Sequence, residues 1–219
     1  MIIENPFVFG RAAEGTYFTD RTEDAKRLSA NLTHGINTIL ISPRRWGKTS
    51  LVKKVISETD HPDIKFVFID IFDCKSEYDF YHSFANEIVK QTSSKIDEWV
   101  ETAKTFLSNI SPKFTFGSDP MNDFSLSFEW SPKDNTEKEI LQLPQKIAQK
   151  KNIRLVVCLD EFQQVADFSD SITFQKKLRS VWQHQQEVTY CMFGSKKHLM
   201  ENIFNEKSMP FYKFGDMMF

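Results

Sequence analysis

Apolar positions along this chain recur in two rhythms, and the change from one to the other marks out the elements. Short unbroken runs, Ile36-Asn37-Thr38-Ile39-Leu40-Ile41, Ile64–Phe72, Leu155–Leu159 and Val188–Phe193, have strand length and β-branched or aromatic character. The run after Arg154 shows no polar alternation, the pattern of a strand covered on both faces in a parallel sheet. Between these runs the spacing turns helical. Ala25, Leu28 and Leu32 form one stripe, opened at Asp20-Arg21-Thr22-Glu23, where Asp20 caps the helix and Glu23 reaches back to the cap N–H. Leu51, Val52, Val55 and Ile56 form a second. Phe80, Phe84 and Ile88, then Ile96, Trp99, Val100, Ala103 and Phe106, predict two helices broken near Thr92-Ser93-Ser94, a core stripe. Ile140, Leu143 and Ile147 predict a helix with a kink or late start at Pro144, and Phe174, Leu178, Val181 and Trp182 another between Ser171 and Gln186. Strands alternating with helices predict an α/β fold.

Two stretches break this alternation. Phe114 and Phe116, then Phe124, Leu126, Phe128 and Trp130, alternate with polar residues around Gly117–Asp123, predicting a β-hairpin over about 111–132 inserted between the second strand and the Leu155–Leu159 strand. Its apolar face either packs on the domain's own helices or serves as an interaction surface. The aromatic N-terminal stretch, with Pro6-Phe7-Val8-Phe9-Gly10 and Tyr17-Phe18, reads as an irregular arm, so that 1–35 is arm plus helix. The tail runs to Phe219 on an apolar stretch without a cap or turn, and the expectation is that further protein followed it.

The candidate chemistry sits where the first strand ends. Ser42-Pro43-Arg44-Arg45-Trp46-Gly47-Lys48-Thr49-Ser50 links it to a helix, the strand–loop–helix context of a phosphate-binding P-loop. A triphosphate is bound largely by main-chain N–H groups converging at a helix N-terminus. Gly47 admits that close approach, Lys48 places an ammonium against the β- and γ-phosphates, and Thr49 ligates the Mg²⁺ bridging them. Ser50 reads as helix surface. The usual G-x-x-x-x-G-K-[ST] pattern has Ser42 at its first glycine, a small residue that also tolerates a turn.

A second signature follows the buried strand: Asp160-Glu161. Asp160 is the candidate Mg²⁺ ligand, and Glu161 the candidate base for the water attacking the γ-phosphate. Asp70, near another strand end, reads as a turn residue. Ser195, at the tip of the Val188–Phe193 strand, is either a sensor of the γ-phosphate or an ordinary turn serine. Arg179 is either a charge stabiliser acting in a neighbouring subunit or a solvated helix arginine.

Composition narrows the class without changing this picture. With 219 residues the chain is long enough for one well-buried α/β domain. A net charge of -2, from 28 basic and 30 acidic residues, gives no global field to attract nucleic acid or an anionic membrane. The 21 phenylalanines mark a folded chain with some aromatic surface to spare for a partner. Cys74, Cys158 and Cys191 have no C-x-x-C spacing and read as buried thiols in a reducing compartment. The histidines form no metal-binding spacing. With neither a secretory leader pattern nor a membrane-spanning run, the expected location is cytosolic.

Pro43-Arg44-Arg45-Trp46-Gly47-Lys48-Thr49-Ser50-Leu51, Leu159-Asp160-Glu161-Phe162-Gln163, Phe193-Gly194-Ser195 and Pro210-Phe211-Tyr212 together resemble the archaeal-type AAA-like ATPases, relatives of the STAND and origin-recognition ATPases. The resemblance implies a P-loop NTPase three-layer αβα sandwich, mainly parallel, with an extra strand between the P-loop and acidic strands. It implies Mg-ATP as ligand, a helical or winged-helix lid absent from residues 1–219, and an arm around Phe9–Arg21 lying near the adenine. The function it implies is ATP hydrolysis driving a conformational switch. A nucleotide-binding scaffold with negligible hydrolysis, presenting the hairpin to a partner, is the alternative. A protein partner or self-association fits either, and DNA enters by this resemblance alone.

Overall fold

The computed structural model describes residues 21–44, 46–93, 95–106, 113–115, 125–127 and 136–219. The unbroken apolar runs become β1 (Thr38–Ile41), β2 (Ile64–Asp70), β5 (Arg154–Asp160) and β6 (Val188–Gly194), joined by a short β7 (Asp216–Met218). All pair in parallel, in the order β2-β5-β6-β1-β7. The extra strand expected between the P-loop strand and the acidic strand is β6. Every residue of β6, and all of β5 after Arg154, is buried, which explains why neither strand alternates.

Helices cover both faces. On one lie α1 (Thr22–Thr33) and α2 (Lys48–Glu58), whose Leu28, Leu32, Leu51, Val52 and Val55 pack with Leu40, Val156, Cys158, Cys191 and Phe193. On the other lie α3 (Glu77–Thr92), α5 (Thr136–Lys151), α6 (Ser171–Trp182) and α7 (Lys197–Asn205), around Ile39, Ile41, Val157, Leu159 and Met192. Successive strand residues point to opposite faces, so one buried strand feeds both cores. The second core is aromatic: Trp182 stacks on Tyr190 with ring centroids 4.2 Å apart, and Phe80 meets Phe174 edge-on at 5.1 Å. Much of the phenylalanine content is thus interior packing.

The expected break gives α3 and α4 (Ile96–Phe106), with Ser76 capping α3 by accepting from the Asp79 N–H. Helix α5 starts at Thr136 and runs through Pro144, so the late start is not realised. The N-terminus of α1 also differs from expectation. Arg21, at φ 70°, holds its cap position, and the Arg21 side chain makes no cap hydrogen bond. Glu23 accepts from Lys26 instead, and Asp20 lies outside the described residues. In the insertion, β3 (Lys113–Thr115) and β4 (Ser125–Ser127) pair antiparallel, Phe114 opposite Leu126, with β4 against α3. Phe116, Phe124, Phe128 and Trp130 lie outside the described residues, as does the arm before Arg21.

The apolar tail is used: β7 adds a strand beside β1. Asn37 ties this edge together, its Oδ1 accepting from Tyr190 N–H at 2.8 Å and its carbonyl from Asp216 N–H at 2.8 Å. Arg27 and Asn31 of α1 donate to the Asp216 carboxylate. At the opposite edge, the Gln91 amide imitates a neighbouring strand. It accepts from Phe68 N–H at 2.8 Å and donates to Phe68 C=O at 2.7 Å. An edge strand left open is a template for unwanted pairing. Gln91→Leu keeps the bulk and removes both bonds, and is expected to lower unfolding free energy by about 1–2 kcal/mol in urea denaturation with an unchanged m-value.

Candidate functional site

The C-terminal ends of β1, β5 and β6 lie side by side, so the loops that leave them share one edge of the sheet. In open α/β sheets this edge is where ligands bind. From β1 the chain turns through Ser42-Pro43-Arg44 to Gly47, which caps α2 at φ 72° and ψ 24°. Any L side chain there would be held in the left-handed region, so the turn itself calls for glycine. Pro43 and Arg44 are exposed, Trp46 is 65% exposed, and Arg45 lies outside the described residues.

Lys48 folds back over this loop. Its Nζ donates to the carbonyls of Ser42 at 3.0 Å and Pro43 at 3.3 Å, and only 6% of the residue is exposed. Burial lowers its pKa, against the opposing fields of Glu161 and Asp160. Ser42 Oγ is buried without a hydrogen-bond partner. Arg21 reaches in from the start of α1, donating from Nη1 to Trp46 C=O at 3.0 Å. Arg21 is the last residue of the arm expected near the adenine, and the rest of that arm lies outside the described residues. Ser50 is buried rather than on the helix surface, within the first turn of α2.

The link between the two signatures is one hydrogen bond, from Thr49 Oγ1 to Asp160 Oδ2 at 2.8 Å. Asp160 ends β5 with 6% exposure, and its pKa is raised to about 6. Burial is the main cause; Asp70 and Glu161 add to it, while the Thr49 hydroxyl and the Glu161 N–H, which donates to Oδ1 at 2.8 Å, oppose it. Asp70 sits level with Asp160 on the neighbouring strand, and its Oδ1 accepts from Phe72 N–H at 2.9 Å, the turn role expected of it. Glu161 has φ 55°, uncommon for a residue with a side chain. Its Oε2 accepts from Ser195 Oγ at 3.0 Å and from Gln163 Nε2.

Lys48, Thr49, Asp160, Glu161 and Ser195 thus form one connected cluster, with Ser42 and Gly47 at its rim. Arg179 is not part of it. Its guanidinium stacks 4.6 Å from the centre of the Phe214 ring, near the edge where β7 begins. Gln163 was legible only as one letter of a motif, since nothing in its spacing says that the amide turns back onto Glu161.

Mg²⁺ takes hard oxygen ligands and is usually held by one or two protein groups plus phosphate oxygens and water, not by an all-protein cage. The residues present fit this. Thr49 and Asp160 offer adjacent oxygens, and among the described residues no group of three or more His, Cys, Asp or Glu could hold a metal ion.

The model of a family of ATPase domains predominantly from Archaea matches residues 18–211. No curated protein matches the chain. Among solved structures, a Walker-type ATPase of Pyrococcus abyssi is similar with a TM-score of 0.61 and 16% identity, over 97% of this chain and 56% of that one. The ORC2 protein of Aeropyrum pernix, in ADPNP–ADP complexes, gives 0.56 and 15%, over 97% and 50%. The ORC1 protein of Aeropyrum pernix, in complex with DNA, gives 0.55 and 11%, over 90% and 44%. At these identities the likeness shows the fold alone, and the chain spans about half the length of these structures.

Because Asp160 is buried as a potential anion, it weighs on the empty protein. A carboxyl whose folded pKa lies above its unfolded value opposes folding fully above the folded pKa and not at all below the unfolded one. Asp160→Asn is therefore expected to stabilise the nucleotide-free protein by about 1–3 kcal/mol at pH 7.5. The gain should fade between pH 6 and about 4, as checked by thermal melts across that range.

Proposed function

This chain belongs to the family of ATPase domains found predominantly in Archaea, and on that premise we propose that it binds and hydrolyses Mg-ATP to drive a conformational switch. The observation that carries this reading is the Thr49–Asp160 hydrogen bond, because it places the P-loop helix, the acidic strand end and Glu161 around one point.

ATP is the substrate, and its phosphates take the N-terminus of α2, where the loop from Ser42 to Ser50 presents main-chain N–H groups. Lys48 then exchanges the carbonyls of Ser42 and Pro43 for phosphate oxygens, recovering charge partners for a buried ammonium. The unpartnered Ser42 hydroxyl is a further donor at the turn. Thr49 and Asp160 would hold Mg²⁺, which when bound neutralises charge on the phosphate oxygens. Glu161 takes the proton of the attacking water as its oxygen joins the γ-phosphorus and the bond to the β-phosphate oxygen breaks, leaving ADP and phosphate.

Ser195 supplies the switch. Its hydroxyl rests on Glu161, and one residue later Lys196 caps α7, so a change at the carboxylate is felt at the start of that helix. Among the described residues no helix is long and apolar enough to cross a membrane. DNA enters as a partner only through the DNA complex of the ORC1 neighbour; a salt-dependent binding titration decides it.

Lys48→Ala is expected to weaken Mg-ATP binding about 100-fold or more in calorimetry, since a buried cationic partner of the phosphates is lost. Glu161→Gln should keep binding and lose about 100-fold or more of turnover in a phosphate-release assay. Equal, near-zero turnover in wild type and Glu161→Gln, with binding intact, would instead leave a nucleotide-binding scaffold.

A further inference from the structure

The Glu161 carboxylate is held unevenly. Both of its hydrogen bonds, from Ser195 Oγ and Gln163 Nε2, fall on Oε2. Among the described residues no hydrogen bond reaches Oε1. Gln163 is 2% exposed, two residues beyond Glu161 in the short 3-10 helix Phe162–Asp167, and that helix starts where Glu161 takes its left-handed φ of 55°. The backbone turn therefore folds the Gln163 side chain back over the carboxylate that precedes it.

The other half of the Gln163 amide is informative as well. Its Oε1 is buried with no hydrogen-bond partner. It lies against Gly194, the last residue of β6, where an added Cβ would collide with it and would also come within 3.0 Å of Met200 Sδ. Gly194 has no positive φ to justify a glycine. The space a side chain would fill is taken by the Gln163 amide. A buried acceptor left unpaired beside a residue in an uncommon backbone region is a cost that a plain apolar side chain would avoid.

We infer that Gln163 is a positioning residue for Glu161: with Ser195 it fixes one carboxylate oxygen and leaves the other to the attacking water, and Gly194 is bare to admit it. The inference rests on the reading of Glu161 as the base. Two donors on one oxygen set the orientation of the whole planar carboxylate, because rotation that moves Oε1 must break both bonds. A simple core role for Gln163 would be met equally well by an unbranched apolar side chain, which separates the two possibilities.

The test compares wild type, Gln163→Met, Glu161→Gln, and the set Gln163→Ala, Gly194→Ala and Gln163→Ala/Gly194→Ala in the full chain. Gln163→Met is expected to lower kcat about 10-fold or more, with KM and the calorimetric Kd for Mg-ATP within about twofold of wild type. If it does not fold, Gln163→Asn, too short to reach Glu161, replaces it with the same expectation. A kcat within about twofold of wild type, or a loss matched by equal loss of nucleotide affinity, overturns the inference. Without any reference to turnover, Gly194→Ala should lower the melting temperature in the wild-type background and cost little in the Gln163→Ala background. Equal losses in both backgrounds overturn the contact. Glu161→Gln separates the two claims. If it turns over like wild type, the base reading falls and takes this one with it; if it is slow while Gln163→Met is fast, only the positioning role falls.

Discussion

The arrangement depends on a carboxylate buried at the end of a fully covered strand. Asp160 loses most of its water because β5 runs between β2 and β6 with helices on both faces, and an isolated anion in that position would simply take up a proton. What meets it is a hydroxyl from the first turn of α2 and its own neighbour's N–H, enough to orient it and too little to neutralise it. Burial accordingly holds its pKa up, at about 6. Lys48 is in the matching condition, a buried ammonium that donates to two loop carbonyls. On the proposed reading, an anion carrying a divalent cation would satisfy both groups together, one ligand for a site built from opposite charges.

The sheet order makes that meeting possible. Placing β6 between β1 and β5 separates the P-loop from the acidic pair by one strand, and the end of that strand delivers Ser195 between them. A side chain at Gly194 would collide with Gln163, so the path of β6 and the orientation of Glu161 are set together. Further out, the cost of a parallel sheet with two open edges is met differently on each side. Gln91 occupies one edge with an amide, and the other is extended by β7 and anchored to α1 through Asp216.

Much of this was legible from residue order alone, for local reasons. A strand, a turn ending in Gly47-Lys48-Thr49 and an amphipathic helix form a unit whose contacts lie within one stretch of chain, and the unbroken apolarity of Leu155–Leu159 states that both faces of that strand are covered. Helix breaks such as Thr92–Ser94 are equally local. The burial of Ser50 was not legible from spacing, and the cap position of α1 fell to Arg21 when the Asp20–Glu23 pattern predicted otherwise. The strand in the tail was not legible for the same reason. Three residues from Asp216 to Met218 become a strand only when β1 is beside them.

The sequence by itself determined the elements, the phosphate-binding turn and the acidic strand end, since each is written in the spacing of near neighbours. Only the tertiary structure decided that Thr49 touches Asp160, that Gln163 turns back on Glu161 against Gly194, and that Arg179 rests on Phe214 away from the cluster. Those are contacts between residues brought together by sheet order and helix packing, and no periodicity along a chain encodes which polar atoms such packing leaves facing one another.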